Sequence, residues 1–311
     1  MNSATGQKKP IVRKAVIPIA GLGTRHFPAS HAVKKELFPV VGPDGIARAL
    51  FHYHLLELDA AGIEEICIIV QPGEDDMVRA YLHGPGSDYL KRLEKHPALL
   101  REAEQMKKFA GRVTFAVQHQ QEGYGHAVFQ TQKFAGGDFV LLGLGDHLFR
   151  GKPVSPYQEL AEMAAVSNRR SVSAVNRISA GELKGYGTIA GQRRADNQRL
   201  IDVSLIIEKP DVVTAREKLR VDGLPGEIWL GWFGMHLLAP SIYEILEEMI
   251  RNNVRDNGEF QLTRAQEIQR QREGYLALEM TAAERFDFGV PDDFVRSVQA
   301  FRHGGTQINL P

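Results

Sequence analysis

The sequence predicts an α/β fold with a mixed, mostly parallel central sheet flanked by helices. Three observations predict it. Apolar runs of strand length alternate with helical segments through the first half, the pattern of βαβ units. The first run, Ala15-Val16-Ile17-Pro18-Ile19, empties straight into the glycine-rich stretch Ala20-Gly21-Leu22-Gly23-Thr24-Arg25. A carboxylate, Asp146, follows another apolar run, Phe139–Leu144. In such a sheet right-handed crossovers place helices on both faces, and ligands sit beyond the carboxyl ends of the strands.

In chain order the predicted strands of the first half are Ala15–Ile19, Glu65–Val70, Val113–Val117, Phe139–Leu142 and Ser171–Val175. Helices are predicted near Ile46–Ala61, Tyr89–Phe109, Gly125–Lys133 and Pro156–Ser167. In the second half Leu200–Ile207 and Trp229–Leu238 read as strands, and Pro240–Ile250 and Gln261–Arg272 as helices. Pro291–Phe301 reads as a closing helix with proline at its start. No internal repeat or low-complexity tract interrupts the chain.

The composition narrows the function classes. Of 311 residues 43% are apolar, enough for a sizeable core. The 38 basic and 38 acidic side chains balance, so nothing electrostatic argues for a nucleic-acid partner. The single cysteine, Cys67, lies inside Ile66-Cys67-Ile68-Ile69-Val70; it reads as a buried thiol, and a disulfide framework is excluded. No apolar stretch approaches the roughly 20 residues of a membrane helix. The first dozen residues lack the apolar core of a secretory signal, so a cytoplasmic protein is expected.

Glycines let backbone approach an anion closely, and the N–H groups of such a loop form an anion-binding concavity. Arg25, and Lys35 ten residues on, add cations that reach a polyphosphate. The loop is not a dinucleotide fingerprint, because His26 stands where the third glycine belongs. Nor is it a Walker A loop, since no Gly-Lys-Ser/Thr follows. These residues point to a nucleotide whose phosphate is attacked.

The longer pattern of Ala20–Arg25, Pro28-Ala29, Lys35-Glu36 and Pro39-Val40 resembles the nucleotide motif of the sugar-1-phosphate nucleotidylyltransferases. Within that superfamily it is most similar to the bacterial UTP–glucose-1-phosphate uridylyltransferases. Gln118 and Gly123-Tyr124-Gly125-His126-Ala127-Val128 resemble the base-recognition segment, and Gly145-Asp146 the first metal aspartate. Gly185-Tyr186-Gly187 and Glu208-Lys209-Pro210 resemble the sugar and sugar-phosphate segments. Gly258-Glu259-Phe260-Gln261-Leu262-Thr263 resembles a stretch before the last helices, and Phe286-Asp287-Phe288-Gly289 the second metal aspartate.

The resemblance implies a Rossmann-like, glycosyltransferase-A-like architecture over residues 13–303. A nucleotide-binding half would run to about residue 177 and a sugar-binding half from about 178, with tails at 1–12 and 304–311. It implies transfer of a uridylyl group from UTP to glucose 1-phosphate, the alternatives being the same reaction with another nucleotide such as dTTP or another sugar 1-phosphate, or a non-catalytic regulatory homologue. It also implies Mg²⁺ as cofactor, no membrane or nucleic-acid partner, and a homodimer or homotetramer. Ala20, Gly21, Leu22, Gly23 and Thr24 would cradle the nucleotide. Arg25 would hold the leaving pyrophosphate and Lys35 the α-phosphate. Gln118 would pair with the pyrimidine edge, with Gly123 and Gly125 leaving room for the base. Asp146 and Asp287 would hold the metal. Gly187 and Glu208 would meet the sugar and Lys209 its phosphate.

Two departures from the family pattern stand beside the site. Lys34 replaces a proline before the Lys-Glu pair, and Gly42-Pro43-Asp44-Gly45 replaces a Lys-Pro pair. Lys34 reads as surface charge or as support for its neighbour. The histidines draw a structural reading: His52 and His54 do not share a helix face, and His119, His126 and His147 have no assigned task. No zinc site is expected. Trp229, Trp232 and Phe233 are expected in the core or walling the sugar pocket.

Overall fold

A computed structural model of the chain describes residues 12–304. Its strands are β1 (Lys14–Pro18), β2 (Pro39–Val41), β3 (Ala47–Ala49), β4 (Glu65–Val70), β5 (Val113–Val117), β6 (Val140–Gly143) and β7 (His147–Gly151). Then follow β8 (Val172–Ser179), β9 (Thr188–Arg193), β10 (Leu200–Ile207), β11 (Ile228–Leu238), β12 (Leu276–Glu279) and β13 (Ala283–Asp287). Nine of them form one sheet in the order β5-β4-β1-β6-β11-β8-β12-β10-β9, and β2-β3 and β7-β13 form separate ribbons. The large sheet runs through both halves of the sequence.

Side-chain alternation along the central strands sorts the core into two layers. Ala15 and Ile17 of β1 pack on one face with Ile66 and Ile68 of β4 and Leu141 of β6. Phe51 and Leu55 from the helix Leu50–Ala60 cover that face, with Tyr157 and Leu160 from the helix Pro156–Glu162. Val16, Cys67, Ile69 and Leu142 pack on the other face, under the helices Ser241–Arg251 and Leu262–Glu273. Because both faces are covered, these strands are apolar throughout rather than alternating. Burial pushes the Cys67 thiol up to about 11, which leaves it unreactive.

The sheet is mixed, as the sequence predicts, but parallel pairing does not predominate. It is confined to β5-β4-β1-β6 and to β8-β12. β11 runs antiparallel to β6 and β8, and β10 antiparallel to β12 and β9. β11 is buried along nearly its whole length, so it carries the same continuous apolar signature as a parallel strand and its direction cannot be read from burial.

Other differences are local. The helix expected over Tyr89–Phe109 is two, Ser87–Leu93 and Pro97–Ala110, because Pro97 can start a helix but not continue one. The segment from Ile46 begins as β3, and its helix starts at Leu50. The helix Asp75–His83 and the strands β7, β9 and β12 are additions. Of the expected tails, residues 1–11 and 305–311 lie outside the described residues. Val12, counted with the first tail, is buried in the core. Among the described residues no helix is long and apolar enough to cross a membrane.

Candidate active site

The carboxyl ends of β1, β5 and β6 bring three stretches of sequence to one edge. The Ile19 N–H donates to the Ile69 carbonyl at 2.8 Å, and beyond it the chain leaves the sheet. The loop turns at Gly23, whose φ of 66° lies in the left-handed region that favours glycine. Ala20–Thr24, Lys35, Gln118 and Gly123 wall a cavity of about 380 Å³. Arg25, Gly187, Glu208, Lys209 and Asp287 are among the residues walling a second, of about 490 Å³. Asp146 lines both, at the junction.

The charges at that junction alternate. Lys35 Nζ donates to Asp146 Oδ2 at 2.6 Å. His147 Nδ1 lies 2.9 Å from Asp146 Oδ1, and its Nε2 lies 3.4 Å from Asp287 Oδ2. The β7-β13 ribbon sets this arrangement, because its register places His147 opposite Asp287. Burial pushes the Asp146 carboxyl up, but His147 and Lys35 outweigh it and hold the group far below the usual carboxylate range. Burial opposes the His147 cation too, yet Asp146 and Asp287 raise its pKa to about 9. Glu36 is the contrary case. Desolvation pushes its carboxyl up to about 7 against the pull of Lys35, and among the described residues its Oε2 has no hydrogen-bond partner.

Asp146 and Asp287 converge on Gly289. A Cβ at Gly289 would stand 3.0 Å from Asp146 Oδ2 and 3.0 Å from Asp287 Oδ1, so glycine lets the backbone lie close against both carboxylates, and its N–H donates to Asp287 Oδ1 at 2.7 Å. Two carboxylates brought together in this way are hard oxygen donors of the kind that suit a divalent cation taking its other ligands from phosphates and water.

Most residues singled out in the sequence meet here, with qualifications. Arg25 lines the sugar-side cavity rather than the glycine-walled one. Gln118 is buried, and its Nε2 donates to the Gly123 carbonyl at 3.2 Å. Gly187 makes room for a neighbour before any ligand, since a Cβ there would stand 2.5 Å from the Trp232 indole. Gly125 lines neither cavity. Its N–H donates to the Phe260 carbonyl at 2.8 Å, and a Cβ would stand 2.7 Å from that oxygen, so it seats the helix Tyr124–Phe129 against the chain at 260.

Four contributors carry no assigned role in the sequence pattern. His147 joins the two aspartates; its place directly after Asp146 was the one signal. His26, at the missing-glycine position, lies with Nε2 2.9 Å from the Phe288 carbonyl and ties the loop to the Asp287 segment. Lys34 is buried rather than on the surface, with Nζ donating to the Gly21 carbonyl at 2.7 Å and pairing with Glu74 Oε1 at 3.0 Å. Thr263 adds a hydrogen bond to Glu208 Oε2 at 2.7 Å.

The nucleotidyl transferase family profile matches residues 14–302. The chain belongs to the nucleotidyl transferase family. This nucleotidyl transferase is 27% identical over 290 residues to UTP–glucose-1-phosphate uridylyltransferase 1 of Staphylococcus saprophyticus, a match covering 93% of this chain and 92% of that one. It superposes on the UTP-bound UGPase from Acinetobacter baumannii with a TM-score of 0.74 at 25% identity, over 93% of each chain. A Bacillus anthracis protein described as a glucose-1-phosphate thymidylyltransferase shares the fold, with a TM-score of 0.67 at 18% identity, over 96% of this chain and 98% of that one.

Proposed function

We propose that this nucleotidyl transferase moves a uridylyl group from UTP to glucose 1-phosphate, giving UDP-glucose and pyrophosphate. The observation that carries the reading is the meeting of two cavities at Asp146, one walled by the glycine-rich loop and the other by Glu208 and Lys209. The names of relatives near 27% identity support UTP and glucose 1-phosphate as the pair.

An oxygen of the sugar phosphate attacks the α-phosphorus of UTP. The bond from that phosphorus to the β-phosphate oxygen breaks, and pyrophosphate leaves with its electrons. The nucleophile is a phosphate, largely dianionic near neutral pH, so no general base is required. The difficulty is bringing two polyanions together, and the remedy is positioning and charge neutralisation. Lys35 stands at the junction for the α-phosphate, and Arg25 adds a cation on the sugar side. Lys209 takes the sugar phosphate, while Glu208 accepts hydrogen bonds from sugar hydroxyls. Gln118 faces the base. Asp146 and Asp287 would hold Mg²⁺, which when bound neutralises phosphate charge.

Lys209 shows how the chain places a charge. Its φ of 46° puts a non-glycine residue in the left-handed region, at about 1–2 kcal/mol, just before Pro210. Its side chain is 57% exposed, with Nζ 3.7 Å from Glu208 Oε1. Lys209→Gly removes both the strain and the charge. It should leave the melting temperature unchanged or higher and raise the sugar-phosphate KM about 10- to 100-fold, the worth of a hydrogen bond to a charged group. An unchanged KM in steady-state assays would remove Lys209 from the phosphate site.

The reading is tested by pyrophosphate release with Mg²⁺ across a grid of nucleoside triphosphates and sugar 1-phosphates. Turnover confined to UTP with glucose 1-phosphate is the expected result. Preference for dTTP would move the specificity, since one methyl group is discriminated by only about 1–3 kcal/mol. No turnover with any pair would overturn the reading.

A further inference from the structure

We infer that Lys34 is a positioning residue that aims the backbone of the glycine-rich loop at the nucleotide. The inference rests on the reading that this loop holds a nucleoside triphosphate. A loop that receives a polyanion must present N–H groups and turn its carbonyl oxygens away, because a carbonyl facing phosphate repels it. Two carbonyls of this loop are drawn back into the protein by side chains. Lys34 Nζ takes the Gly21 carbonyl at 2.7 Å. Ser30 Oγ takes the Gly23 carbonyl at 2.8 Å.

Peptide geometry converts these contacts into direction. In a trans peptide the C=O and the following N–H point opposite ways, and the Gly21–Leu22 bond is not among the cis bonds of the described residues. Fixing the Gly21 oxygen toward Lys34 therefore fixes the Leu22 N–H away from it. Leu22 lines the glycine-walled cavity, whereas Lys34 does not.

The lysine is itself held. Its side chain is 8% exposed, and its charge is met by Glu74 Oε1 at 3.0 Å. The other Glu74 oxygen accepts the Gln71 N–H at 2.9 Å, just beyond the end of β4. A rigid line thus runs from the sheet through Glu74 and Lys34 to the Gly21 carbonyl. A proline at position 34 offers no donor for such a tether.

Calorimetric titration of UTP and, separately, of glucose 1-phosphate into wild type, Lys34→Met, Lys34→Arg and Glu74→Gln tests this, alongside thermal denaturation. Lys34→Met should weaken UTP about tenfold, the lower end for loss of a charge-assisted hydrogen bond, and leave glucose 1-phosphate within twofold. Lys34→Arg, which keeps donor and charge, should recover most of the UTP affinity. In steady state the defect should fall on the UTP KM and spare kcat. UTP affinity within twofold of wild type in a folded Lys34→Met would overturn the inference, as would equal weakening of both ligands. Should Lys34→Met not fold, Glu74→Gln decides: about threefold weaker UTP supports the tether, and unchanged UTP overturns it. Failure of the functional reading looks different, since a wild type that binds no UTP fails before any variant is compared.

Discussion

Asp146→Asn should lower turnover at least about 10²-fold, the scale on which a single preorganised electrostatic group acts in other enzymes. The substitution keeps the shape and removes the charge at the point where both cavities meet. Lys35 at 2.6 Å and His147 at 2.9 Å lose the anion that raises their pKa values, so the alternation of charge at the junction collapses. If Asp146 acts by holding a divalent cation with Asp287, a second variant should fail at the same step by a different route. Gly289→Ala leaves every charge in place but puts a carbon 3.0 Å from an oxygen of each carboxylate. It should cost about tenfold in turnover, partly recovered by raised Mg²⁺, with the melting temperature unchanged. Near-normal turnover of Asp146→Asn would sink the electrostatic role. A normal Mg²⁺ dependence in Gly289→Ala would move the cation elsewhere.

What the sequence disclosed was local, and what it withheld was relational. The loop Ala20–Arg25 announces itself because a strand, two glycines and a cation lie consecutively. Asp146 is legible for the same reason, standing just past a buried run. The approach of Asp287 to Asp146 depends instead on the β7-β13 register, which joins segments remote in the chain. Lys34 shows the limit in another way. A lysine beside a lysine reads as surface charge or as support for its neighbour, and nothing local says that Glu74, just past the end of β4, decides for the second. Gly125 misled because a glycine in a nucleotide motif suggests ligand, while the Phe260 carbonyl that needs the space comes from the other half of the chain. The antiparallel course of β11 was hidden by its burial on both faces, which erases the alternation that distinguishes strand environments.

The protein should be acid-labile well above the range where carboxylates protonate. His52 and His54 are buried and uncharged, their pKa values lowered to about 4 by desolvation, and His236 is lowered to about 3 for the same reason. Each lies at 4% exposure or less. In the unfolded chain all three titrate near 6.5. Between that value and the folded one the unfolded state binds more protons, so stability rises with pH there and is lost as pH falls. By pH 5 each histidine withdraws about 2 kcal/mol relative to neutral pH. Glu36 opposes them. Its folded pKa of about 7 exceeds the unfolded value, so folding is favoured as it protonates, and it returns about 2 kcal/mol over the same interval. His147, whose folded pKa of about 9 also exceeds the unfolded value, returns about 1 kcal/mol more. The three uncharged histidines win by number. The unfolding free energy from denaturant titration should fall by about 3 kcal/mol from pH 7 to pH 5, a sizeable share of the roughly 5–15 kcal/mol that holds a domain together. His54→Asn keeps a polar group near the Tyr157 hydroxyl, which lies 2.9 Å from Nδ1, and cannot titrate. It should reduce that fall by about 2 kcal/mol. Stability that is flat between pH 7 and pH 5 would mean that these rings charge in place, which their burial forbids unless water reaches them.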